Sequence, residues 1–374
     1  MKARFIDSIN QLSAEQWDSL WASDYPFVKH HFLLALELGK CTTEDSGWQP
    51  YHLIVFDNDC PIAALPLYLK THSYGEYVFD WAWADAYHRC GLTYYPKLLT
   101  AIPFTPATGP RIAIAPNQDR QALINFIIDS VQQEAQRLGA SSWHYLFPEE
   151  GHHLPTNHMM PRLGCQFHWF NQDYDSFDDF LSRFNSRKRK SVKRERRQVI
   201  EQEVTLERLC GHEITPEHWR QFYTFYHATY LKRSGGSGYL NASFFKQLAQ
   251  QPDQIMMVVA TQAGNIVAAA LYFFDHHTLY GRYWGTLDDI PGLHFEACYY
   301  QGIEFAIEKK LKRFDPGAQG EHKIQRGFTP VFTHSYHWLA DTRLQAAVED
   351  FLQREAAGIK HYQADCCNYL PFKS

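Results

Sequence analysis

Glu321, His322, Lys323 and Arg326 sit close together in a polar loop that follows a short apolar run beginning at Phe314. A carboxylate or imidazole can take a proton from an amine or hydroxyl, and nearby donors can stabilise an oxygen that gains charge. That pairing suits acyl transfer, where a nucleophile attacks an activated carbonyl. Glu321 and His322 are the candidate bases, with Glu296 and Tyr283 as the catalytic groups that orient the substrate. Lys323, Arg326 and Trp284 are candidate substrate contacts, and Tyr283, Lys323 and Arg326 are the candidate donors to an oxyanion. The competing reading is that Glu321 and Arg326 pair merely to shape the loop.

The elements that must position these groups can be read from the surrounding pattern. Residues 284–328 run as a strand end, a Gly/Pro-marked loop, an amphipathic helix, a short strand and the polar loop. From Phe295, the positions Cys298, Tyr299, Ile303, Ala306, Ile307 and Leu311 continue one stripe at helical spacing. Pro291 and Gly292 mark the entry, and Lys309, Lys310, Lys312 and Arg313 suit the negative end. Pro316 and Gly317 then close the next strand almost at once, and polar groups gathered just past a strand end are the usual makings of a site.

Two further stretches carry chemistry. Residues 75–97 mix aromatics with carboxylates, so Asp80, Trp81 and Asp85 are candidate substrate-binding residues of a groove wall, or parts of an aromatic interface. Between Arg187 and Arg197 stand eight Lys or Arg residues in a chain whose net charge is −5. Arg187, Arg189, Lys190, Lys193 and Arg194 are the candidate phosphate contacts, for a nucleotide, a tRNA or a lipid diphosphate. A solvated helical face stitched by Glu195, Glu201 and Glu203 would look the same. The loop at 285–294 carries Asp288 and Asp289 and no tight glycine cluster, which disfavours a pyrophosphate cradle. His276-His277 and His152-His153 lack paired ligands at metal-binding spacing, so no metal is expected.

Composition bounds the rest. A chain of 374 residues with 45% hydrophobic and 21% charged residues is an ordinary globular sequence with room for two domains. Eight cysteines without a C-x-x-C pair read as free thiols in a reducing compartment. The start of the sequence has no apolar signal region and no run is long and apolar enough to insert stably in a membrane, so a cytoplasmic protein is expected.

The order of elements then repeats. Two helical stretches precede a strand from Tyr51, a turn at 57–59 and a strand from Ile62; two more precede a strand from Ile255, a turn at 263–265 and a strand from Ile266. The offset is 255 − 51 = 204 residues. Each half also closes with a long amphipathic helix entering a strand, at 119–138 before 142–147 and at 295–311 before Phe314. Internal duplication on this scale makes the chain two copies of one α+β unit. The expected domains are 1–165 and 166–374, the second carrying the basic helix and a terminal helix capped by Asp341.

Several long segments resemble the FemAB-like family of peptidoglycan biosynthesis or recognition, within the GNAT acyltransferase superfamily: 80–111, 177–197, 293–328 and 335–341. The resemblance implies two tandem GNAT-like domains, each a mixed twisted sheet flanked by helices. It also implies acyl or aminoacyl transfer to an amine, with a small-molecule or peptide acceptor. No cofactor is firmly implied; acyl-CoA or aminoacyl-tRNA would serve as donor substrate, and tRNA is the macromolecular partner to test. No Q/R-x-x-G-x-G/A pyrophosphate motif of acetyl-CoA enzymes stands in the loop at 285–294 that leads from the strand into the helix. A GNAT-like scaffold that binds a cell-wall or phosphate-bearing ligand without turning it over is the alternative. The acceptor, the donor and the oligomeric state are not encoded legibly.

Overall fold

Local chemistry starts several elements where the pattern predicts. Ser13 and Gln16 form a reciprocal capping box on the helix Ala14–Asp18. Asp119 caps Arg120–Leu138, and Gly139 ends it at φ +66°, a left-handed turn that suits glycine. The computed structural model describes residues 1–152, 154–156, 158–318 and 320–373; His153 and Gln319 lie outside them.

The chain forms two compact units. The first comprises 1–165 and 332–362, and the second 166–331 and 363–374. The terminal helix Thr342–Cys367, expected with the second domain, therefore lies largely with the first. Its Val348 and Leu352 pack with Trp83, Tyr87 and Tyr94, an apolar cluster that would otherwise face water.

In the first unit, Lys2–Ile6, His52–Asp57, Cys60–Leu65 and Ala113–Ile114 form an antiparallel sheet in that order. A second ladder joins Trp48–Pro50, Tyr68–Lys70, Lys97–Thr100 and Ser142–Leu146, and residues 335–339 of Thr329–Leu339 complete it. Helix Arg120–Leu138 lays Leu123, Ile127, Ile128 and Val131 on Leu53, Val55, Ala63 and Trp143.

In the second unit, Val204–Cys210, Ile255–Gln262, Asn265–Phe274 and Thr278–Thr286 are antiparallel neighbours. Thr278–Thr286 then pairs in parallel with Arg313–Asp315, which pairs with the end of Met160–Phe170. Helix Pro216–Ser234 approaches the sheet so closely that a Cβ on Gly285 would lie 2.2 Å from the Phe225 carbonyl carbon. Both units thus run strand, helices, hairpin, third strand, helix, strand. This is the duplicated α+β architecture expected, with twisted mixed sheets flanked by helices. The copies differ at one junction. Residues 66–112 lie between the hairpin of the first sheet and the strand that follows it, where the second copy has only 275–277.

Candidate functional site

The site is built where a parallel pairing stops. Thr278–Thr286 pairs with Arg313–Asp315 through Thr278, Leu279 and Tyr280, and then residues 281–286 run on past the end of that short partner. Opposite them the chain turns at Gly317 (φ +93°) and Gly320 (φ +103°) into the short helix Glu321–Arg326. A Cβ at Gly320 would lie 2.2 Å from the His322 ring, so both backbone angle and space call for glycine.

Asp315 anchors this turn. It accepts hydrogen bonds from the Gly317 N–H at 2.9 Å and from Arg282 at 2.7 Å. Burial opposes its charge, yet Arg282 and His168 hold its carboxyl down to about 2. Lys323 is buried and donates from Nζ to the Gly317 carbonyl at 2.6 Å. Desolvation, only partly offset by Asp315, pulls its pKa down to about 7. His322 lies 2.9 Å from the Tyr299 hydroxyl through Nε2. Partial burial, then Lys323 and Arg326, lower its pKa, which favours the neutral imidazole at neutral pH. Burial likewise brings His294 down to about 4; its ring sits beside those of Trp284 and Tyr299.

The helix carrying Tyr299 is not a plain α-helix. Leu293–Phe295 is followed by a π-turn, Glu296–Tyr300, and then by Gln301–Glu308. Glu296, the first residue of that turn, meets the basic helix Ser186–Glu201, and such turns recur at functional positions. Arg196 grips Glu296 through two nitrogens at 2.9 and 3.0 Å and Glu304 through a third at 2.6 Å. One residue earlier, Glu195 takes Arg326 at 3.0 Å, while Arg326 also donates to the Tyr300 hydroxyl and the His322 carbonyl.

The profile of the FemAB-like family, described as peptidoglycan biosynthesis/recognition, matches residues 8–374. The chain belongs to this family. No curated protein matches the sequence. Among solved structures, FemX superposes with a TM-score of 0.51 at 12% identity, covering 93% of this chain and all of that one. The DUF2156 C-terminal domain of an Agrobacterium fabrum protein named for lysylphosphatidylglycerol synthetase gives 0.51 at 10% identity, covering 91% and 95%. A conserved Bacteroides thetaiotaomicron protein of unknown function gives 0.50 at 12%, covering 90% and 99%. At such identities the likeness is one of fold.

Within this FemAB-like chain the structure brings together His322, Lys323 and Arg326 of the expected set; Lys323 and Arg326 are buried, while Glu321 and His322 are exposed beside them. Trp284 reaches the same cluster through His294. Tyr283 packs against Tyr226 and Phe245, and Glu296 is occupied by Arg196 and Gln301. Both therefore read as groups that hold the site rather than touch a substrate. Asp80, Trp81 and Asp85 belong to the first unit. Asp80 is buried in an ion network with Lys97, and Glu76 joins Lys97 at 2.8 Å. Against the cost of burial, Lys97 and His144 hold the Asp80 carboxyl below its usual range. Asp85 pairs with Arg89 on the surface, and Trp81 is exposed. A groove of about 840 Å³ in the second unit is lined by Tyr174, Phe177, Arg196, Glu304 and Lys312, and by none of residues 321–326.

The phosphate candidates sit on one helix. Arg187, Lys190, Lys193 and Arg194 are exposed and Arg189 is half-buried, while Val192 and Val199 face inward. Residues that sequence reasoning passed over include Tyr299, Asp315, Arg282 and Arg196. Tyr299 falls within the apolar stripe of its helix, which hides its hydroxyl. Asp315, wedged between a strand and Pro316-Gly317, carried the clearest unread signal. Among the described residues no helix is long and apolar enough to cross a membrane.

Proposed function

We propose that this chain transfers an acyl group, of aminoacyl type, from an activated ester or thioester to an amine. The observation that carries this is His322, 2.9 Å from the Tyr299 hydroxyl and followed by the buried Lys323, where strand Thr278–Thr286 outruns its parallel partner. His322 Nδ1, the ring nitrogen not bonded to the Tyr299 hydroxyl, takes the proton as the amine attacks the carbonyl carbon. The protonated Lys323 stabilises the oxyanion, and collapse expels the donor's alkoxide or thiolate, which recovers the proton. Glu321 is the second base to test. Arg326, tied to Glu195 and the His322 carbonyl, fixes the loop.

The carrier of the acyl group is anionic in this reading. Arg187, Arg189, Lys190, Lys193 and Arg194 would meet its phosphates, and aminoacyl-tRNA fits that better than coenzyme A because no glycine cradle precedes the helix at 293. Family membership and the fold shared with FemX support a transferase acting on a peptide or small-molecule amine. The experiment is mass spectrometry of purified protein with aminoacyl-tRNA or acetyl-CoA and a panel of amines. Transfer that is abolished in E321A/H322A, with the fold intact by circular dichroism, is the expected result. Undiminished transfer in that double variant, or donor binding with no product in the wild type, removes the mechanism.

A further inference from the structure

The basic helix Ser186–Glu201 has two faces that do different things. Outward it shows Arg187, Lys190, Lys193, Arg194 and Arg197, all exposed. At 1.5 Å per residue they make a stripe about 15 Å long, the reach of a chain of phosphates rather than a single one. Only Lys193 among these five has an ion partner among the described residues, Asp178 at 2.9 Å. Inward, the same helix holds both parts of the candidate site. Arg196 fixes the π-turn through Glu296 and Glu304 and stacks over Phe177 with its guanidinium carbon 4.6 Å from the ring centroid. Glu195 fixes Glu321–Arg326 through Arg326 and receives the Tyr300 hydroxyl. Arg326 in turn lies 3.4 Å from the centre of the Phe295 ring.

We propose that this helix is a polyphosphate-operated latch, so that a polyanion along the outer stripe orders the π-turn and the 321–326 loop through Arg196 and Glu195. The inference rests on the reading that the outer cations take phosphate, but not on turnover. Coupling needs an element with two arrangements, and the π-turn supplies one. Relaxed to a plain α-helix it would sheer Glu296 away from Arg196 by about 100° of helical rotation. With the stripe unoccupied, Arg187, Lys190, Arg194 and Arg197 on one face repel and work against a fixed helix. Phosphate removes that repulsion, and the pairings on the inner face then hold the turn.

The test is hydrogen exchange of the full chain with and without inorganic tripolyphosphate, and in parallel with a short single-stranded RNA. In the wild type, residues 293–308 and 320–328 should exchange at least about fivefold more slowly with the probe bound, the low end of ordinary coupling between sites. The stripe variant R187Q/K190Q/R194Q/R197Q should lose binding and protection together. The latch variants R196Q and E195Q should still bind, yet transmit little protection to 293–308 and 320–328 respectively. Having two latch variants guards against one of them misfolding. Protection by tripolyphosphate alone assigns the latch to soluble polyphosphates, and protection by RNA alone assigns it to nucleic acid. The proposal is overturned if neither probe binds, if binding leaves both segments unchanged, or if the latch variants transmit as the wild type does. A chain that shows the protection but transfers no acyl group would sink the transferase reading and leave the latch standing.

Discussion

Lys323 is the residue whose charge decides the pH behaviour of the candidate site. Burial brings it to about 7, while His322 is lowered from its ordinary value. The mechanism needs the imidazole neutral and the ammonium charged. Activity should therefore rise as pH climbs through the His322 pKa, which lies below 6.5, and fall again through about 7. K323R keeps the charge at all working pH and should remove the falling limb; a pH–rate profile of kcat/KM reads this directly. A limb unchanged in that variant would assign it to another group. The buried ions of the first unit make a stability statement instead. Lys97 pairs with Asp80 and Glu76, and Lys70 lies 3.8 Å from Glu76, all four nearly inaccessible to water. K97M leaves the buried Asp80 without its ammonium partner and should cost about 3–5 kcal/mol in urea unfolding, whereas K97M/D80N, which keeps the Lys70–Glu76 pair, should recover much of that loss.

The elements differ in how openly the sequence declares them. Helix ends are set by single side chains acting locally, as with Ser13 and Gln16, Asp119, and Gly139 after the long helix. The hairpins at 52–65 and 255–274 were legible because apolar runs flank a polar turn. The π-turn was not, since the stripe from Phe295 onward has the same spacing over one turn whether or not a residue is extra. Arg196 and Glu195 hid within a run of charges, where residue type cannot say which members face inward. Strand Met160–Phe170 hid because Pro161 and Gly164 punctuate it like a turn; Gly164 is there because a Cβ would meet the Thr333 hydroxyl at 2.6 Å. Two other glycines separate packing from propensity. Gly285 lies against the backbone of helix Pro216–Ser234, so G285A should lose about 1–3 kcal/mol by overpacking. Gly358, inside Thr342–Cys367 with nothing near its Cβ position, should gain about 0.5–1 kcal/mol on changing to alanine. Thermal melts of the two variants should move in opposite directions.

At the scale of the whole molecule, duplication is what the sequence shows most plainly, but it does not show how the chain is shared between the copies. A repeat offset suggests cutting the chain once, near 165, and the two compact units do not follow one cut. The first unit needs residues 332–362, because 335–339 pair with Ser142–Leu146 and the terminal helix covers Trp83, Tyr87 and Tyr94. A fragment ending at 165 would leave the edge of that ladder unpaired and an aromatic cluster exposed, both of which favour aggregation. We therefore expect fragment 1–165 to be insoluble or to lack protected amides at 142–146, although it contains a complete copy of the repeat. Co-expression with 166–374 should restore protection there, since that partner brings 332–362 back. Hydrogen exchange at 142–146 in the fragment, in the pair and in the intact chain measures the effect. Full protection in the isolated fragment would mean that the returning strand and helix are dispensable, and that the ancestral module still folds alone.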